Sequence, residues 1–142
     1  MKKILSLILL SLMLASCNAK LTEDVQSTFD NGQPKYVKLL NRKGKCVKEV
    51  EYYEDGVVKM EGAIRDGHRE GNWKAFFPDG KPQSIGGFKE GLRDGFSVVY
   101  YETGTKMMEG NYSVGQHVGV WKYYDEAGNM LKEVDYGNPS KQ

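Results

Sequence analysis

The stretch Tyr112-Ser113-Val114-Gly115-Gln116-His117-Val118-Gly119-Val120-Trp121-Lys122-Tyr123-Tyr124 repeats a pattern that the chain has already used 24 and 48 positions earlier. Phe88, Gly91, Gly95 and Tyr100 hold the matching places in one earlier copy. Ile64, Gly67, Gly71, Trp73 and Phe76 hold them in the other. Carried outward, the same register yields interlocked glycine series: Gly56, Gly80, Gly104 and Gly128; Gly67, Gly91 and Gly115; Gly71, Gly95 and Gly119; Gly62, Gly86 and Gly110. Copies of one small unit laid end to end contact chiefly their neighbours and build an extended sheet or solenoid. Such a molecule displays surface for binding more readily than it encloses a catalytic pocket.

From Phe29 onward, strand-like stretches alternate with turn signals every 8–12 residues or so, the mark of an all-β chain. No long stripe of 3.6-residue period is present, and 17 glycines disfavour long helices. Each unit reads as two strands and two turns. Asp55-Gly56, Asp79-Gly80, Thr103-Gly104 and Ala127-Gly128 suit two-residue hairpin turns. A turn at Asp79-Gly80 puts Trp73 opposite Gly86, and the same register puts Ser97 opposite Gly110, Trp121 opposite Val134 and Lys122 opposite Glu133. A glycine facing an indole leaves a slot in which the ring can lie flat. Arg65–Gly71, Lys89–Gly95 and Ser113–Gly119 then read as longer turns joining one hairpin to the next. The expected fold is all-β: tandem hairpin repeats of 24 residues forming an elongated, twisted antiparallel meander sheet of about eight to ten strands. Trp73, Phe88, Met108 and Tyr112 share one face of it. Phe76, Ile85, Tyr100 and Tyr124 share the other, among Lys74, Glu109 and Lys122. A slip of one residue would exchange the faces. A worn copy begins at Asn31-Gly32 and loses register around Gly44.

The N-terminus is organised differently. Lys2 and Lys3 precede an apolar run from Ile4 to Leu14, interrupted by Ser6 and Ser11 and followed by Ala15, Ser16 and Cys17. A basic start, a short apolar segment and small residues describe a secretory signal, too short to span a bilayer. Leu14-Ala15-Ser16-Cys17 resembles the bacterial lipobox, which implies residues 1–16 as a lipoprotein signal peptide and acylation of Cys17 as the new first residue. Residues 17–28 then read as the acylated cysteine and a tether, and 29–142 as the repeat domain, with clear copies from about 52 to 136. Removing Lys2 and Lys3 leaves 18 basic against 19 acidic side chains. That balance speaks against a nucleic-acid partner and against a polybasic second membrane signal. The lipid chains themselves must anchor the protein, and two or more suffice. Cys46, left alone, reads as a half-buried strand residue.

Phe88 to Phe96, Tyr112 to Tyr124 and Ile64 to Trp73 resemble the MORN repeat in its bacterial variant form: an aromatic residue, glycines four apart, a tryptophan, then further aromatics. Ser97 departs at the tryptophan site, and Asp125 departs where Phe77 and Tyr101 stand. The resemblance implies a ribbon of β-hairpins that contacts proteins or membrane lipids and carries no catalytic residues. Many bacterial variants bear an antitoxin label, which makes an antitoxin or immunity-type inhibitor of a toxic partner protein the alternative reading.

Chemistry is sparse elsewhere. No nucleophile elbow, phosphate loop or dinucleotide fingerprint is present. His68 and His117 read as solvent-facing loop residues without metal-ligand neighbours, and Glu61, Glu109 and Glu133 as a salt-bridged surface column. No enzyme activity, cofactor, metal or small-molecule substrate is expected. The evenly stepped column Tyr52, Phe76, Tyr100 and Tyr124 is the candidate binding face, because an aromatic stripe on an uncovered sheet face marks an interaction site. The expected partner is a protein or an envelope polymer, met by a lipid-anchored envelope protein. Asn18 after Cys17 slightly favours the outer membrane over the inner.

Overall fold

Ten antiparallel strands follow one another, with no helix among the described residues, 20–138, of the computed structural model. They are β1 (Thr22–Thr28), β2 (Pro34–Leu40), β3 (Cys46–Tyr52), β4 (Val58–Arg65), β5 (His68–Phe76), β6 (Pro82–Lys89), β7 (Leu92–Tyr100), β8 (Lys106–Ser113), β9 (Gln116–Tyr124) and β10 (Met130–Asp135). Their order in the sheet is their order in the chain, so the fold is a single open meander in which strands pack on their sequence neighbours. Cys17 and the expected signal peptide lie outside the described residues. Of the expected tether, Thr22–Thr28 forms β1, an exposed edge strand hydrogen-bonded to β2. Its polar run Thr22-Glu23-Asp24 hid it from a reading based on apolar alternation.

The two kinds of turn are the reverse of expectation. The two-residue turns are Asp66-Gly67, Glu90-Gly91 and Val114-Gly115, flanked by the pairs Arg65↔His68, Lys89↔Leu92 and Ser113↔Gln116. Both central residues have positive φ, 51° and 83° in the first and 48° and 80° in the third, as a type I′ turn requires. Val114 is β-branched, and its left-handed backbone is strained. The supposed long turns are therefore tight turns followed directly by strand. At Asp79-Gly80 the loop is wider: Phe77 N–H donates to the Lys81 carbonyl and Gly80 N–H to the Phe77 carbonyl, both at 2.8 Å. Only Gly80 is left-handed there. Asp79 instead accepts the Lys81 N–H at 3.0 Å, an Asx contact that recurs at Asn31 and Asp55. Gly44 closes the same wide loop, so the worn N-terminal copy lacks the tight turn of the later units.

Despite this exchange, the strand register agrees with the expected pairing: Trp73↔Gly86, Ser97↔Gly110, Trp121↔Val134 and Lys122↔Glu133. The wide loops absorb the difference by a one-residue shift next to the turn, as between Ala75 and Phe76. The indoles, however, lie over the other neighbouring strand. A Cβ on Gly62 would stand 2.2 Å from Trp73 Cδ2, and one on Gly110 would stand 2.3 Å from Trp121 Cδ2. Each indole Nε1 donates across the sheet at 3.0 Å, to the Ala63 carbonyl and the Asn111 carbonyl respectively. The cause is a bulge. Gly62 alone faces Gly71, Asn72 and Trp73, between the pairs Glu61↔Lys74 and Ala63↔Glu70, and the extra residues twist β5 so that its ring tips toward β4.

Burial is divided between the two faces. Trp73, Trp121 and Ile64 are buried on one side, hereafter the indole face; Val37, Val50 and Val98 are buried on the other, the ion-pair face. A single layer of strands thus carries a thin core on both sides. Cys46 is half-buried at the start of β3, its thiol donating to the Lys48 carbonyl at 3.4 Å, and burial pushes its pKa up.

Candidate interaction face

Tyr52, Phe76, Tyr100 and Tyr124 all fall on the ion-pair face, as the register requires, each on the last residue of a strand before a wide loop. They are half-buried, and among the described residues no ring pair joins them. The structure brings them to one margin of the sheet, not into a stacked ladder. Tyr124 donates to Glu109 Oε1 at 2.8 Å, and Lys106 reaches Glu109 Oε2 at 2.8 Å. These two partners hold the Glu109 carboxyl below the usual glutamate range, Lys106 most strongly. Glu61 pairs with Lys48 at 2.6 Å and Glu133 with Lys122 at 3.4 Å. The acidic column is a row of ion pairs, as expected from sequence. Exposed pairs of this kind contribute roughly 0–1 kcal/mol each. Among the described residues, no group of three or more His, Cys, Asp or Glu could hold a metal ion.

The indole face has a different chemistry. Arg69 lies over the Trp73 ring, 4.1 Å from its centroid, and 5.5 Å from that of Phe88. Arg93 lies on the other side of Phe88, at 5.4 Å, and 5.2 Å from Tyr112. The His117 ring follows, 4.8 Å from Tyr112, 4.1 Å from Trp121 and 4.9 Å from Tyr136. It shares a hydrogen bond of 3.0 Å with the Tyr112 hydroxyl. His117 is therefore a stacked strand residue, correcting its reading as a loop histidine; His68 is exposed at the start of β5. Aromatic rings and nitrogen bases alternate from β5 to the end of β10, and each cation–ring contact is worth about 0.5–2 kcal/mol.

Sequence reasoning missed this ladder although its signal was present. Arg69, Arg93 and His117 stand 24 residues apart, as do Phe88, Tyr112 and Tyr136. The first column changes residue type at its last copy, and a search for repeated identity passes over it. The property its members share is a flat, nitrogen-rich group that stacks on a ring. The middle copy shows why that matters. Ser97 replaces the indole, and the Arg93 guanidinium covers the vacant place: a Cβ on Gly86 would meet Ser97 Oγ at 2.9 Å and Arg93 Nη1 at 3.2 Å.

With that geometry in place, the two hairpins that carry an indole, β5–β6 and β9–β10, can be compared with known repeats. Residues 69–90 and 118–138 match the MORN repeat variant. The MORN-variant match covers most of both strands of each hairpin and the wide loop between them, and the unit containing Ser97 lies between the two matched segments. No curated protein matches the chain. Among solved structures, the Glycosylation Associate Protein (Gap123) complex from Streptococcus agalactiae is similar at 16% identity and a TM-score of 0.50, over 87% of this chain. The chain spans only 23% of that chain's length, and the likeness establishes the fold alone.

Proposed function

We propose that this chain is a noncatalytic binding module of a bacterial envelope, tethered through acylated Cys17 and contacting a protein partner or an envelope polymer with its repeat sheet. The observation that carries the reading is the single-layer sheet itself, which leaves two wide faces uncovered and sets repeated side chains along each. The lipobox-like Leu14-Ala15-Ser16-Cys17 supports the anchor, and two or more chains on that cysteine give stable attachment. Outer-membrane delivery is the favoured destination, on the strength of Asn18. Of the two faces, the column Tyr52, Phe76, Tyr100 and Tyr124 offers half-buried rings among paired charges, while the indole face offers rings among cations that have no acidic partner.

Membrane fractionation tests the anchor: Cys17→Ala releases the exported protein into the soluble fraction, and retention of the correctly exported variant at the membrane refutes anchoring. Crosslinking in native envelopes, read by mass spectrometry, tests the binding role. Recovery of one stoichiometric neighbour that is toxic when expressed alone would redirect the reading to an immunity-type inhibitor.

A further inference from the structure

We infer that the indole face from β5 to β10 is a binding surface for an acidic glycan, a chain of sugar rings with a carboxylate on alternate rings, read by Arg69 and Arg93. The inference rests on the binding-module reading above and names its ligand class. Its first support is charge asymmetry between the two faces. Following the strand pairs, the indole face between β4 and β10 presents Arg69, Arg93, His117 and Lys132 and no strand carboxylate. Among the described residues, neither Arg69 nor Arg93 has an ion-pair partner. Carboxylates return to this face in β3, with Glu49 and Glu51, and in β1, with Asp24. Burial, and then Glu49, pushes the Tyr36 hydroxyl pKa up, and Glu51 is occupied by Lys59 at 2.7 Å. The ion-pair face, by contrast, neutralises its own charges.

The second support is spacing. Arg69 and Arg93 lie two strands apart, on β5 and β7, which sets them about 9.5 Å from each other along the sheet. An extended peptide presents same-side residues every 6.8 Å or so and falls out of step after one contact. A glycan charged on alternate rings keeps step. Between the cations, Phe88 and Tyr112 are half-buried and Tyr136 is exposed, leaving apolar ring surface for the C–H faces of sugars. Each guanidinium is fixed by the ring it stacks on while its N–H fork remains free for a carboxylate, an arrangement that suits bidentate recognition.

The test uses the full-length chain in detergent with hyaluronan decasaccharide as the probe, and three comparison ligands: an N-acetylglucosamine oligomer, a polyglutamate peptide, and a proline-rich peptide with glutamate at every third position. Hyaluronan is expected to bind, more weakly as salt is raised. Arg93→Gln is expected to reduce affinity tenfold or more, Arg93→Lys to restore only part of it, and Lys122→Gln on the opposite face to leave it within twofold. Circular dichroism checks folding, and Arg69→Gln takes the place of Arg93→Gln if the latter does not fold. Binding indifferent to both arginines, equal binding of the uncharged oligomer, or preference for either peptide overturns the inference. So does absence of glycan binding in a chain that still captures a protein in envelope crosslinking, a result that leaves the binding-module reading standing.

Discussion

Trp121 and Ser97 occupy the same column of the repeat and solve the same packing problem in opposite ways. At Trp121 the indole, 1% exposed, lies across Gly110 and donates to the Asn111 carbonyl. At Ser97 a hydroxyl sits over Gly86 and is sealed by Arg93, leaving the serine 2% exposed. Both sites are closed to water. Only the second places a charged group above the glycine, and that group is itself exposed to solvent. The difference teaches that the repeat requires the space over its strand glycine to be filled by a flat group, without requiring the group to be apolar. In one unit the indole fills that space by itself; in the other a guanidinium completes the filling and also offers a cation to a ligand.

The largest expected effect of this difference is on stability. Trp121→Ala should cost about 3–5 kcal/mol by urea unfolding, against about 1 kcal/mol or less for Ser97→Ala. Equal losses would break the comparison. The glycines beneath supply the next test. Gly110→Ala drives a methyl group into an indole 2.3 Å away, and should cost about 1–3 kcal/mol. Gly86→Ala meets only the Ser97 hydroxyl and the end of Arg93, both able to rotate aside, and should cost less than about 1 kcal/mol.

The Trp73 unit, for its part, lacks a hydroxyl. Tyr53 and Tyr101 each donate at 2.9 Å to the carbonyl of the residue 23 positions on, Phe76 and Tyr124, whereas Phe77 in the same column cannot. Phe77→Tyr should gain about 0.5–1.5 kcal/mol by donating to the Tyr100 carbonyl; no gain in thermal midpoint would show that the units are not equivalent there. The smallest expected effect is on the ion-pair face. Because Lys106, and then Tyr124, hold Glu109 below its ordinary pKa, its contribution is complete above about pH 4.3 and is lost as pH falls through the lowered value. Wild type should therefore lose more stability than Glu109→Gln between pH 7 and pH 3, and identical losses would remove Glu109 from the account.

Much of this was legible without coordinates. The 24-residue step, the all-β class, the meander and the pairing of Trp73 with Gly86 all follow from glycine and aromatic spacing, since strand side chains alternate with a fixed period of two. The turns were not legible. An Asp-Gly pair reads as a type I′ turn, yet Asp79-Gly80 closes a wide loop while Val114-Gly115, with a residue poorly suited to positive φ, closes a tight one. Register across the whole unit, not local preference, sets which turn is short. The stacked ladder was not legible for a related reason. Tyr52, Phe76, Tyr100 and Tyr124 are regular in sequence and line the margin beside the wide loops, while the stacked ladder uses Arg69, Arg93 and His117, whose likeness is of flat, nitrogen-bearing shape and not of name.

Sequence alone determined the repeat, its length and which residues face one another across strands, because backbone pairing is periodic and punctuation by glycine sets its phase. Only the tertiary structure decided which neighbouring strand each indole covers, and so which face carries stacked cations without partners. That choice comes from bulges that twist each strand after its tight turn, a cooperative property of paired strands that no single strand encodes.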